Sequence, residues 1–120
     1  MDHRPPSLKV EKPWGRFEQY THNLPCTVKI LTVAPGGVLS RQYHHKRDEL
    51  WVILDSGAGV ELDGRVLHPA VEEELFIPRK TVHRLYSTSS SPVRVLEISF
   101  GEFDEEDIVR LEDVYGRAGP

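Results

Sequence analysis

Cysteine is almost missing from this chain. Cys26 is the only one in 120 residues, so no internal disulfide can form and a reducing cytoplasm is the natural setting. A reactive thiol is the sharper reading of Cys26, but its neighbours Pro25 and Thr27 supply no activating charge, which favours an inert one. Long apolar runs are missing too. Nothing approaches the roughly 20 residues of a membrane-spanning helix, and Met1 to Pro6 is charged and proline-rich, without a signal-peptide core. An excess of positive charge is also lacking: 15 Lys and Arg face 19 Asp and Glu, for a net charge of -4, which argues against nucleic-acid binding. There is no nucleotide-binding glycine loop either, because Gly57-Ala58-Gly59 lacks a third glycine and a following helix.

What remains is β-sequence. The length suits one domain, and 38 % hydrophobic with 28 % charged residues is ordinary for a globule. We expect residues 1–9 to be an N-terminal extension, 10–117 the domain and 118–120 a tail. Thr27 to Val33 alternates, with Val28, Ile30 and Thr32 on one face. Pro35-Gly36-Gly37 ends it. Further strands are expected over Val38–His44, Trp51–Leu54, Leu75–Ile77, Val82–Tyr86 and Val93–Phe100. Val60 to Leu67 reads as a hairpin whose Asp63-Gly64 pair suits a type I′ turn. Ser87 to Pro92 reads as a loop. In the tail, Asp104 is placed to cap a short helix carrying Ile108, Leu111 and Tyr115 on one face, with Gly116 ending it. About eight short strands and almost no helix predict an all-β sandwich or barrel, most simply a jelly roll.

Chemistry concentrates in Gln42-Tyr43-His44-His45-Lys46-Arg47-Asp48-Glu49 and around His83. On one strand, Gln42, His44 and Lys46 share a face, while Tyr43, His45 and Arg47 take the other. Glu49, five residues after His44, then points away unless the chain turns at Arg47-Asp48. Two separated His-bearing strand ends can meet across a small barrel. A metal site and a satisfied polar core are both compatible with that meeting.

The run Pro35-Gly36, Gln42, His44, Glu49 resembles the first cupin motif, with Gln42 at the usual first histidine. Pro78 and His83 match the second motif, with Lys80 at a glycine position. Lys12-Pro13-Trp14-Gly15, Arg47-x-Glu49-x-Trp51, His83-Arg84-Leu85 and the run from Glu106 to Arg117 narrow the resemblance to the type II mannose-6-phosphate isomerase cupin, over about Val10 to Arg117. That family includes the isomerase domain of bifunctional mannose-1-phosphate guanylyltransferases and free-standing members. The resemblance implies a cupin double-stranded β-helix, a small sugar-phosphate substrate, a homodimer and one divalent metal (zinc, iron, manganese or nickel). Its ligands would be Gln42, His44, Glu49 and His83.

Three departures from the family pattern stand out. Lys46 occupies the place of a further histidine, and an ammonium has no lone pair for a metal. Glu72 and Lys80 replace glycines, and at Lys80 a different turn is expected. Ser87 replaces an asparagine.

The implied reaction interconverts mannose 6-phosphate and fructose 6-phosphate through an enediol. Glu97 is the candidate base, since a charge in the apolar run Val93 to Ile98 is costly unless it is paired or functional; a salt bridge to a buried Arg is the alternative. Lys46 is read either as a phosphate-binding catalytic-site cation or as a solvated strand-end lysine. Arg47, Arg84 and Arg110 are candidate substrate-binding cations, with Arg47 and Arg84 out of phase with the histidines. His45 should face away. Two rivals remain: a non-catalytic cupin binding a sugar or sugar nucleotide, and another small-molecule cupin enzyme such as an epimerase or dioxygenase.

Overall fold

A computed structural model describes residues 7–118. Its strands are β1 (Leu8–Lys12), β2 (Gly15–Gln19), β3 (Cys26–Val33), β4 (Arg41–Tyr43), β5 (Arg47–Ile53), β6 (Ala58–Leu62), β7 (Arg65–Leu67), β8 (Glu74–Ile77), β9 (His83–Ser87), β10 (Val93–Gly101) and β11 (Val109–Glu112). The barrel has two antiparallel walls, one ordered β3-β10-β5-β8 and the other β11-β4-β9-β6-β7. β1 and β2 form a separate hairpin. The fold is all-β, as the alternation predicts.

Inward residues alternate along each strand. In the first wall Val33, Trp51, Ile53, Leu75, Ile77, Val93 and Val95 meet Val60, Leu62 and Leu85 of the second in one buried cluster. β5 is buried on both faces, because its outward Leu50 packs with Ile98, Phe100 and Tyr20 in a second cluster. The Asp63-Gly64 turn has positive φ at both residues, 49° and 80°, as a type I′ turn requires.

The C-terminal helix is not formed. Among the described residues there is no helix, and Val109–Glu112 instead adds an edge strand to β4. The local reason is side-chain competition with the helix ladder. Asp104 Oδ1 takes the Glu106 N–H at 2.9 Å, and the Asp107 carboxylate is spent on distant backbone. The apolar stripe was not a burial signal either, since Leu111 and Tyr115 are 52 % and 62 % exposed.

The expected strand Val38–His44 is also shorter than predicted. It is cut to Arg41–Tyr43, with Val38 making a lone bridge to Tyr86. β1 begins inside the segment expected to be an extension. No helix is long and apolar enough to cross a membrane among the described residues.

Candidate metal centre

The site lies where the chain passes from one wall to the other. β4 ends at Tyr43 in the second wall, and β5 starts at Arg47 in the first. His44 to Lys46 form the corner between them. The strand parity that sends Glu49 outward is therefore reset. Arg47, Glu49 and Trp51 face the interior with His44, and with Gln42 from β4, His83 from β9 and Glu97 from β10 they line one cavity.

Two imidazoles are held in a defined tautomer. His44 Nδ1 lies 2.7 Å from the Asp107 carbonyl and His83 Nδ1 2.9 Å from the Thr81 carbonyl. A carbonyl only accepts, so each Nδ1 carries the hydrogen and each Nε2 presents its lone pair inward. Those atoms face one carboxylate: Glu49 Oε2 is 3.7 Å from His44 Nε2, and Glu49 Oε1 is 3.5 Å from His83 Nε2. The three residues offer ligand atoms within 4.8 Å of one another. Glu49 Oε1 is buried without a hydrogen-bond partner. Two inward lone pairs and an orphaned carboxylate oxygen fit a divalent metal of borderline character. Gln42 lines the same cavity. Its amide nitrogen is tied to Ser40 O and Oγ at 3.3 and 3.0 Å, which leaves Oε1 as its free polar atom.

Burial sets the protonation states. It depresses His44 and drives His83 down to about 4, so both rings are neutral near pH 7. It also raises Glu49, against the pull of Arg47. Glu97 is pushed up to about 7 by burial and then by the Glu49 charge beside it. Glu97 is not absorbed into a salt bridge with a buried arginine; its cross-strand neighbours are Lys29 and Trp51.

The candidate cations separate. Arg47 is inside, with Nε donating to Glu49 Oε2 at 3.1 Å, although strand parity puts it out of phase with His44. Arg110 lines the cavity, and its buried Nε has no partner. Arg84 is not in the cavity. Its guanidinium donates to the carbonyls of Leu39 (2.9 Å) and Glu112 (3.1 Å), joining β9 to the second wall's edge. Lys46 is not in the cavity either: its side chain is 58 % exposed and lies 3.7 Å from Glu102, because the corner turns it outward. His45 is exposed, as expected.

The two replaced glycine positions both have positive φ. Glu72 and Lys80 hold φ of 74° and 67°, the left-handed conformation glycine adopts most easily, and the Lys80 N–H donates to His44 O at 2.6 Å. Ser87 bonds within its own loop, to Ser89.

Sequence reasoning did not find Asp107, which binds the corner three times. Its carboxylate accepts the N–H groups of His45 and Lys46, both at 2.9 Å, and its carbonyl fixes His44. Nor did it find Lys29, whose ammonium meets Glu105 at 2.6 Å on the cavity rim. The only signal for Lys29 was its place on the inward face with Leu31 and Val33.

A barrel of two facing antiparallel sheets with two histidines and a carboxylate converging inside it defines a cupin with a metal-type donor set. The fold has many solved counterparts. The capsular polysaccharide assembling protein CapF from Staphylococcus aureus aligns at a TM-score of 0.63 and 18 % identity, over 92 % of this chain and 33 % of that one. A double-stranded β-helix protein from Klebsiella pneumoniae aligns at 0.62 and 14 %, over 71 % and 73 %.

The chain belongs to the mannose-6-phosphate isomerase C-terminal family, whose model matches residues 3–113. It is 38 % identical to the alginate biosynthesis protein AlgA of Pseudomonas putida, over 92 % of this chain and 23 % of that protein. To the mannose-1-phosphate guanylyltransferase of Klebsiella pneumoniae it is 37 % identical, over 91 % and 23 %. It thus spans about a quarter of the length of these relatives.

Proposed function

We propose that this domain is a metal-dependent isomerase of sugar phosphates that interconverts mannose 6-phosphate and fructose 6-phosphate. The observation that carries the reading is the convergence of two neutral, carbonyl-anchored imidazoles on a Glu49 carboxylate with an orphaned oxygen, beside a second carboxyl that titrates near neutrality. His44, His83 and Glu49, with Gln42 Oε1 as the fourth donor, would hold the divalent ion. Bound there, the ion supplies Lewis acidity to the oxygens on C1 and C2 of the sugar.

The chain's own residues do the rest. Ionised Glu97 takes the proton from C2 of the open-chain aldose and returns it to C1, while a hydroxyl proton moves from O2 to O1. A carboxyl with a pKa of about 7 is suited to both transfers near neutral pH. Glu49 is a poorer base because its lone pairs belong to the ligand set. Arg110, with its unpartnered Nε on the cavity wall, is the cation we assign to the phosphate.

With metal supplied, Glu97→Gln should lower kcat by roughly 10²–10⁴ while metal affinity stays within a few-fold of wild type. Turnover that survives both chelation and this substitution contradicts the mechanism.

The hydrogen bonds of Arg47 to His44 and Glu49 favour a second reading, a sugar-binding cupin with no catalytic metal. It would give thermal stabilisation by sugar phosphate without turnover. Under either reading we assign the protein to the cytoplasm, where its sugar phosphates occur, and to a homodimer. The support for the dimer is the outer edge of β3, unpaired among the described residues, where Val28 and Ile30 are 57 % and 56 % exposed.

A further inference from the structure

We propose that Arg47 is a built-in competitor for the metal: its guanidinium occupies the His44–Glu49 side of the ligand set, and a divalent ion completes its coordination only by displacing it. The inference rests on the metal reading above.

The geometry is specific. Arg47 is 5 % exposed and has every guanidinium nitrogen engaged. Nη2 lies 3.3 Å from His44 Nε2, Nε lies 3.1 Å from Glu49 Oε2, and Nη1 donates to Asp104 O at 3.1 Å. Its central carbon lies 4.5 Å from the centroid of the Phe103 ring. His44 Nδ1 already carries its hydrogen toward Asp107 O, so Nε2 has one in-plane lone pair, and Arg47 uses it. An imidazole nitrogen cannot give one lone pair to a guanidinium and a metal together. Arginine cannot lose its proton to make way, and a dication a few ångströms from it is repelled.

The two halves of the site therefore differ. His83 Nε2 lies 3.5 Å from Glu49 Oε1, and among the described residues Glu49 Oε1 has no partner within hydrogen-bond geometry; Arg47 does not reach this half. His44 Nε2 and Glu49 Oε2 are held by arginine. An ion would land on the open half and gain His44 only as Arg47 withdraws. Withdrawal also breaks the Arg47 contacts with Asp104 O and the Phe103 ring. The guanidinium bonds the Glu49 carboxylate as a cation, so the exchange replaces one buried cation by another.

The test uses the full-length, ¹⁵N-labelled protein titrated with Zn²⁺. Without metal, the Arg47 Nε–H signal should be resolved and slow to exchange with water. It should shift or vanish with the same midpoint as the His44 and His83 ring signals. In parallel, Arg47→Met should bind Co²⁺ at least about tenfold tighter than wild type, through removal of both the competing donor and the like charge. Arg47→Lys, which keeps the charge but not the fork, should fall between them.

An Arg47 Nε–H signal still protected at saturating metal overturns the proposal while leaving the metal reading intact. So does a folded Arg47→Met protein that binds Co²⁺ no tighter than wild type. Failure of every one of these proteins to bind either ion overturns both. Should the Met variant not fold, the wild-type titration decides alone.

Discussion

Glu97 and Glu49 come from neighbouring strands of one wall and share a cavity, and burial holds both carboxyls above their ordinary range. The consequence for stability has a definite sign. Glu97 titrates at about 7 in the fold and near 4.5 in the unfolded chain. The folded state is the one that prefers the protonated form, so this group destabilises the fold increasingly as pH rises from about 4.5 to 7, and by a constant amount above that. In chelator, Glu97→Gln should therefore be more stable than wild type by an amount that grows across that window, to at most about 3 kcal/mol. Urea unfolding from pH 4.5 to 8 checks it; a difference independent of pH contradicts it. Lys80 makes a second prediction at this scale. It keeps a left-handed φ of 67°, a conformation that costs a residue with a Cβ about 1–2 kcal/mol, against the extra chain entropy of glycine. Lys80→Gly should stabilise the protein by about 0.5–1 kcal/mol, and a destabilised variant would show that the side chain contributes more than the turn costs.

At the scale of elements, the corner at residues 44–46 decides which side chains meet. His44, Glu49 and His83 were legible in the sequence, because their spacing and the flanking Pro35-Gly36 and Pro78 form a pattern independent of the three-dimensional path. Arg47 was named as a candidate cation, but its inward direction was not legible, because parity counted along one strand fails where β4 and β5 belong to different walls. Asp107 was hidden for a different reason. Its partners His45 and Lys46 are 62 and 61 residues away, and a run of acids before Ile108 gives the same local signal as a helix cap. The strand content was legible from alternation, and the missing helix was not, since edge pairing with β4 is a tertiary effect. Asp107→Ala should remove two backbone hydrogen bonds at the corner, cost about 1–2 kcal/mol, and speed hydrogen exchange at the His45 and Lys46 amides, with the His44–carbonyl contact kept. Unchanged exchange there would refute the clamp. Gly101 guards the same corner from β10. At φ 104° its added Cβ would come within 2.5 Å of the Lys46 carbonyl oxygen, so no side chain is tolerated where β10 passes the site.

At the scale of the whole molecule, one wall is apolar on both faces and ends in an edge unpaired among the described residues. Val28 and Ile30 on β3 lie beside the covered cluster of Leu50, Ile98 and Phe100, and such an edge invites pairing with a second copy. Sedimentation velocity should find a dimer, and Ile30→Lys should shift it toward monomer without loss of fold; a monomeric wild type at all concentrations sinks that proposal. The interior sets the function. Two imidazoles, two carboxyls and an arginine line one cavity, and among the described residues Glu49 Oε1 and Arg110 Nε there have no hydrogen-bond partner. The most direct measurement is the rate of fructose 6-phosphate formation from mannose 6-phosphate as the chelated protein is titrated with divalent metal. Turnover should be absent without metal, rise in step with occupancy to one ion per chain, and fail in His83→Ala at any metal concentration. Turnover that is undiminished in chelator, or retained by His83→Ala, would contradict the account.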